Sequence, residues 1–285
     1  MGAIDYWCNA FAPDRSPLWD DAIAAQGIPL KVRSDDDDRF ATLEVMVERM
    51  DALGIDTLVL PCAEVPERAE PFAYERYATS PAELGKWASA HPGRFVGLAS
   101  LDPTEGVRGL AATRTLVEGL PIVGLHLHTH SFDRRFDHRD LYPFYALAAE
   151  HDLAVVVQAG TSGGRMASEC GRPIGIDRPA LFFEDTPFVL SHTGWPWVDE
   201  AIAMALKHRN VFLGTAAYPP HHWPPAVVDF LRGPGRTKTL FGTSFPVVGH
   251  RQALGRLDAL ELDAATREAL LGGNARRVFP ALARD

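Results

Sequence analysis

Eleven histidines and three cysteines (Cys8, Cys62, Cys170) are the side chains of this 285-residue chain best suited to metal or acid–base chemistry. The cysteines are odd in number, widely spaced and without a C-x-x-C pair, so they signal neither a disulfide framework nor a structural zinc site. A metal or proton-transfer centre would therefore rest on imidazole. Three histidines alternate in Gly124-Leu125-His126-Leu127-His128-Thr129-His130, a spacing that places them on one face of a strand. His192 ends the run Phe188-Val189-Leu190-Ser191-His192, and His221 and His222 follow Ala217-Tyr218-Pro219-Pro220. His91, His138, His151 and His208 sit at helix ends or in turn-like contexts and read as caps or surface residues.

The elements that must position these residues alternate along the chain. Short β-branched runs (Ala3 to Cys8, Thr57 to Leu60, Phe95 to Ser100, Ile122 to His128, Ala154 to Ala159, Phe188 to His192, Val211 to Thr215, Thr239 to Thr243) are separated by amphipathic, helix-period segments. Eight such units in one chain of this length predict an α/β fold, a (β/α)8 TIM barrel, as a single domain over 1–285. A doubly wound open sheet is the competitor, and its G-x-G-x-x-G fingerprint is missing after the first strand. Long loops at about 9–39 and 161–178 follow the first and fifth strands, where barrel chemistry occurs, and are expected to stand over the mouth. The acidic run Ser34-Asp35-Asp36-Asp37-Asp38 reads as a solvated turn before a helix, since no EF-hand spacing follows.

Residues near the strand ends then converge on one site. The first strand offers Asp5, Trp7 and Asn9 on one face, the fifth Gln158, the sixth His192 and the eighth Ser244. Trp7, Trp195, Tyr218 and Trp223 would ring the same mouth, either as lid packing or as a platform for a flat substrate. His126 and His128 read equally as hydrogen-bonded barrel interior, His130 as a loop residue at the mouth, and Cys8 as a small packed side chain.

Composition narrows the partner. With 28 basic against 37 acidic residues, a formal charge of -9 and only four lysines, the chain offers no basic stripe for nucleic acid. There is no run of about 18 apolar residues and no signal-peptide layout at the N-terminus, so the expectation is a cytoplasmic protein that works on a small molecule and does not engage membrane.

The segment Phe188-Val189-Leu190-Ser191-His192-Thr193-Gly194-Trp195-Pro196-Trp197-Val198-Asp199-Glu200-Ala201 resembles the sixth-strand signature of the amidohydrolase superfamily. The resemblance extends through Ile4-Asp5, Val123 to His128, Val156-Val157-Gln158-Ala159-Gly160-Thr161, Leu240-Phe241-Gly242-Thr243-Ser244-Phe245-Pro246 and Gly273-Asn274-Ala275-Arg276-Arg277. It points to the branch holding aminocarboxymuconate-semialdehyde decarboxylase, aromatic-acid decarboxylases and related lactonases. The family implies metal ligands from a first-strand His-x-His pair, from histidines of strands five and six, and from an aspartate of strand eight. Here those places read Trp7 and Asn9, Gln158, His192 and Ser244, so only His192 keeps the family's residue type. Tryptophan cannot ligate, and amides and hydroxyls are weak zinc ligands. The expectation is no cofactor. Zinc or another divalent metal in a shifted cluster of His126, His128, His130 and His192 is the alternative, although histidines two apart on a strand have side-chain bases about 6–7 Å apart, so that a pair can bind one ion but three in line cannot easily share it.

Three functions compete. One is metal-independent hydrolysis of a small ester, lactone or amide-like carbonyl, with His192 as general base, Asn9 and Gln158 donating to the oxyanion, and His126 or His128 as acid or orienter. The second is non-oxidative decarboxylation of an aromatic or unsaturated acid, whose carboxylate Arg165 or Arg172 would hold. The third is a catalytically inactive, small-molecule-binding homologue. His130, Arg165, Trp195, Tyr218, His221, His222, Trp223 and Ser244 join Trp7 as substrate-binding candidates, and a homodimer accords with the barrel relatives, which are often dimers.

Overall fold

The β-branched runs do not alternate apolar with polar along their length, and the folded chain explains why: both faces of each strand are covered. In the computed structural model, which describes residues 2–16, Trp19, 40–64 and 74–283, the strands are β1 (Ala3–Asp5), β2 (Ile55–Cys62), β3 (Phe95–Ser100), β4 (Ile122–Leu127), β5 (Ala154–Val157), β6 (Phe188–Leu190), β7 (Val211–Gly214) and β8 (Thr239–Leu240). They pair in parallel in sequence order, β1 to β8. The sheet then closes on itself: Tyr6 N–H donates to Phe241 O (3.1 Å), Ser244 N–H to Trp7 O (2.8 Å) and Asn9 N–H to Phe245 O (2.9 Å). Closure removes both sheet edges and makes the (β/α)8 barrel that the alternation predicts.

Each strand is followed by a helix on the outside: α1 (Leu43–Leu53), α2 (Pro81–Ala90), α3 (Val107–Gly119), α4 (Tyr142–Glu150), α5 (Asp177–Phe182), α6 (Val198–Lys207), α7 (Pro225–Arg232) and α8 (His250–Arg256). Local sequence sets their ends. Ser80 caps α2 while Glu83 reaches back to the Ser80 backbone, a reciprocal capping box, and Thr42 caps α1. Leu58, Leu60, Leu125, Leu127, Val155, Val157, Phe188 and Leu190 face the helices, whereas Ile4, Val59, Val96, Leu98, Val123, Val156, Val189 and Leu240 fill the barrel. A last helix, α9 (Asn274–Val278), plugs the N-terminal end with Ala275, Val278 and Phe279. Asn274 holds it there by donating from Nδ2 to Thr239 O (2.7 Å) and Arg236 O (2.8 Å). Midway up the barrel Tyr6 lies flat over Gly214 and Gly242, where a Cβ would come within 2.1 and 2.4 Å of its ring or hydroxyl, so only glycine fits at either place.

Two expectations need correction. The first strand ends at Asp5 rather than Cys8 because the Asp5 carboxylate accepts the Trp7 N–H (3.0 Å), turning the chain out of the ladder. Asp5 consequently does not share a face with Trp7 and Asn9; it is buried between β1 and α8. The acidic run and most of the loop at about 9–39 lie outside the described residues. Among those described, no helix is long and apolar enough to cross a membrane.

Candidate active site

The C-terminal ends of the strands open on a cavity of about 640 Å³. Trp7, Asn9, His126, His128, Gln158, His192, Tyr218, His222 and Ser244 line it, so nine of the fourteen residues singled out above are brought together. His130, Arg165, Trp195, His221 and Trp223 are not on its wall. His130 is buried, and its Nε2–H donates to Gly160 O (3.0 Å), tying the loop after β4 to the loop after β5. Arg165 is exposed. Arg172 is ion-paired with Glu200 and with Glu169 (3.5 Å). Trp195 is 46% exposed and approaches Tyr218 from outside (6.5 Å between ring centres). His221 packs on His222 (4.2 Å), while Trp223 is buried and donates from Nε1 to Tyr218 O (2.8 Å).

Three imidazoles form the floor, each gripped by a serine. His126 Nδ1 meets Ser100 Oγ at 2.8 Å, and its Nε2 is buried without a protein partner. His128 Nδ1 accepts the Ser131 N–H (3.2 Å) and faces Ser131 Oγ (2.7 Å). A backbone N–H can only donate, so neutral His128 carries its proton on Nε2. His192 Nδ1 meets Ser191 Oγ at 2.6 Å, and its Nε2 lies 3.4 Å from Ser244 Oγ. Strand periodicity alone would turn Ser191, not His192, inward with Val189. A left-handed backbone at His192 (φ 59°) and Thr193 (φ 55°) swings the ring back over the cavity. Burial lowers all three rings, with their neighbours adding repulsion: His126 and His192 to about 3 and His128 well below its ordinary value. All are neutral across the physiological range.

Trp7 stands with its edge to both His126 (4.7 Å) and His192 (5.0 Å). Asn9 fixes it: Oδ1 accepts from Trp7 Nε1 (3.1 Å) and Nδ2 donates to Ser244 O (3.0 Å). Bonded through Oδ1 and through one N–H, the Asn9 amide positions Trp7 and the β8 turn while lining the cavity. Gln158 remains as an amide on the wall. The walls above are aromatic and apolar, and several come from loops that strand periodicity cannot place: Trp19, Tyr74, Tyr77, Met166, Val247 and Val248. Tyr74 stacks on His128 at 6.0 Å.

The family resemblance implies a divalent metal. A catalytic zinc takes about three imidazole, thiolate or carboxylate donors converging on one point. Among the described residues no carboxylate lines the cavity, and its histidine nitrogens do not gather within 4.8 Å as a group of three. The group that does gather is Asp5, Cys8 and His250, which lies outside the cavity. There Asp5 accepts from Trp7 N–H, Thr243 N–H (3.1 Å), Thr243 Oγ–H and His250 Nε2 (3.0 Å), and burial raises the Cys8 thiol well above its usual range. A saturated carboxylate beside a protonated thiol is a structural knot between β1, β8 and α8. Among the described residues, the cavity therefore offers no three converging donors, and in the Asp5, Cys8 and His250 group the carboxylate is already engaged. His250 carries no signal in the sequence, since its role depends on a carboxylate 245 residues away.

Residues 4–281 match the family model described as amidohydrolase. No curated protein matches the sequence. Among solved structures, the chain is similar to an uncharacterized TIM-barrel protein from Bordetella bronchiseptica, with 23% identity, all of both chains covered and a TM-score of 0.77. It is similar to a 5-carboxyvanillate decarboxylase from Novosphingobium aromaticivorans, complexed with manganese and 4-hydroxy-3-methoxy-5-nitrobenzoic acid, with 15% identity, 98% and 96% of the two chains covered and a TM-score of 0.68. It also resembles a 4-oxalomesaconate hydratase from Rhodopseudomonas palustris, with 19% identity, 99% and 96% coverage and a TM-score of 0.60. With its closed eight-stranded barrel and a match running almost from end to end, the chain belongs to the amidohydrolase family, in the amidohydrolase-2 branch.

Proposed function

We propose that this protein hydrolyses a small ester, lactone or amide-like carbonyl compound without a metal, with His192 activating the water. The observation that supports it best is the His192 ring itself, buried, neutral, gripped at Nδ1 and facing the cavity through Nε2. With Nδ1–H donating to Ser191 Oγ, the Nε2 lone pair takes a proton from water as the oxygen adds to the carbonyl carbon. The low proton affinity that keeps the ring ready also makes it a weak base. The imidazolium formed is offset by the oxyanion that forms beside it, a pairing worth far more in a desolvated site than in water. His128 Nε2–H and the Gln158 amide are the donors for that oxyanion. As the tetrahedral adduct collapses, the His192 imidazolium returns that proton to the leaving group, and His126, as the Nε2–H tautomer when Ser100 Oγ–H donates to its Nδ1, orients the substrate.

Decarboxylation of an aromatic acid is the second reading, favoured by the likeness to the 5-carboxyvanillate decarboxylase and fitting the family at least as well. That decarboxylase is complexed with manganese, whereas the described residues of this cavity offer no three converging donors. Offering lactones and aryl esters in parallel with aromatic acids, with acid release and CO2 release as readouts, separates the two. Hydrolysis that His192→Gln abolishes, in protein free of stoichiometric metal, is the expected result. CO2 release, activity that requires added manganese, or full turnover by His192→Gln would refute it.

A further inference from the structure

The cavity wall carries a chemical specificity of its own. Among the described residues, no Asp, Glu, Lys or Arg side chain lines it. The arginines nearest in sequence to the loop after β5 are turned elsewhere, Arg165 to solvent and Arg172 to Glu200. On its floor the polar atoms include neutral groups: His128 Nε2–H, whose proton the Ser131 N–H fixes, the Gln158 amide, and the buried, unpartnered Nε2 of His126. An unpaired polar atom at that depth calls for a ligand atom to meet it. Around these stand rings and aliphatic side chains, Trp7, Trp19, Tyr74 and Tyr218 among them, suited to a flat ring. A carboxylate placed here would lose its hydration with no lysine or arginine among the described lining residues to replace it.

We propose that the cavity takes uncharged ring compounds bearing one carbonyl, such as neutral lactones or aryl esters and amides, and rejects their free carboxylates. This deepens the hydrolase reading and rests on the same cavity being the substrate site. It also gives the reaction a direction: hydrolysis adds the elements of water across the acyl C–O or C–N bond and leaves a carboxylate, the species the wall holds least well, so product inhibition is weak.

The test is calorimetric titration of the intact protein at about pH 7.5, where carboxylates are ionised, with matched pairs: benzamide against benzoate, and dihydrocoumarin against its ring-opened hydroxy acid. Burial of an unpaired charge should make each acid bind about 100-fold more weakly than its neutral partner, or not at all. A second arm places a cation on the wall with Val247→Arg, which should narrow the gap by raising affinity for benzoate. Equal or tighter binding of the acids by the unaltered protein, or failure of every neutral probe to bind, overturns the proposal. Preferential binding of neutral probes without turnover would refute hydrolysis while leaving this specificity standing.

Discussion

Acidification should destabilise this protein well before its carboxylates begin to titrate. His126 and His192 are held down to about 3 by burial, and His128 and His130 are lowered in the same direction. In the unfolded chain each imidazole takes up a proton near pH 6.5, so from there downward the unfolded state binds more protons and stability falls as pH falls. Above pH 6.5 the contribution is complete; it is lost progressively toward the folded-state value. Between about pH 7.5 and 5.5 the loss per ring is about 1.4 kcal/mol, set by the unfolded value alone so long as the folded ring stays neutral. The three cavity rings together amount to about 4 kcal/mol, with His130 adding in the same direction, a large share of the 5–15 kcal/mol typical of a folded domain. The Glu75 carboxyl, raised by burial, works the other way but is a single group. Urea denaturation followed by tryptophan fluorescence at the two pH values measures the difference, and His192→Gln should reduce the loss by about 1.4 kcal/mol. Stability that is flat or rises between about pH 7.5 and 5.5 would refute the assignment of neutral, buried imidazoles.

Other outcomes follow from single contacts. His192→Gln should lower hydrolytic turnover by about 100-fold or more while the circular dichroism spectrum is retained; unchanged turnover would move the base elsewhere. Asp5→Ala strips the acceptor from His250 Nε2, Thr243 N–H and Trp7 N–H, all buried, and should cost about 3–5 kcal/mol in a denaturation experiment; a loss under 1 kcal/mol would show that the β1–β8 closure does not depend on it. Gly160→Ala puts a Cβ 2.3 Å from Trp195 O at φ +88°, and a drop of about 3 kcal/mol or more is expected.

Much of the architecture was legible because strand and helix periods are local. Each of the eight β-branched runs overlaps one of β1–β8, and alternation sends His126, His128 and Gln158 to the cavity. His192 reached it by a different route, through a left-handed turn that no periodicity shows. Its serine partner just past the strand, Ser191, was invisible as a functional residue for the same reason. Trp19, Tyr74 and Met166 were missed because loop side chains have no period to place them. Trp195 and Trp223 follow strands that end at the mouth, yet one faces outward and the other is spent on the Tyr218 carbonyl.

By itself the sequence determined the alternation, the family motifs and the residue types at the strand ends, including the replacement of metal-binding side chains by Trp7, Asn9, Gln158 and Ser244. Covalent order carries that information, because propensity and period act over a few neighbouring residues. Only the tertiary structure decided which polar atoms are already spoken for. Asn9 is engaged at both ends and Arg172 is paired with Glu200, whereas His126 Nε2 is left unpartnered at the bottom of a cavity whose described wall bears no fixed charge. Hydrogen bonding, burial and counter-charge depend on groups brought together from distant parts of the chain, so the chemistry of this site is settled where the strands meet.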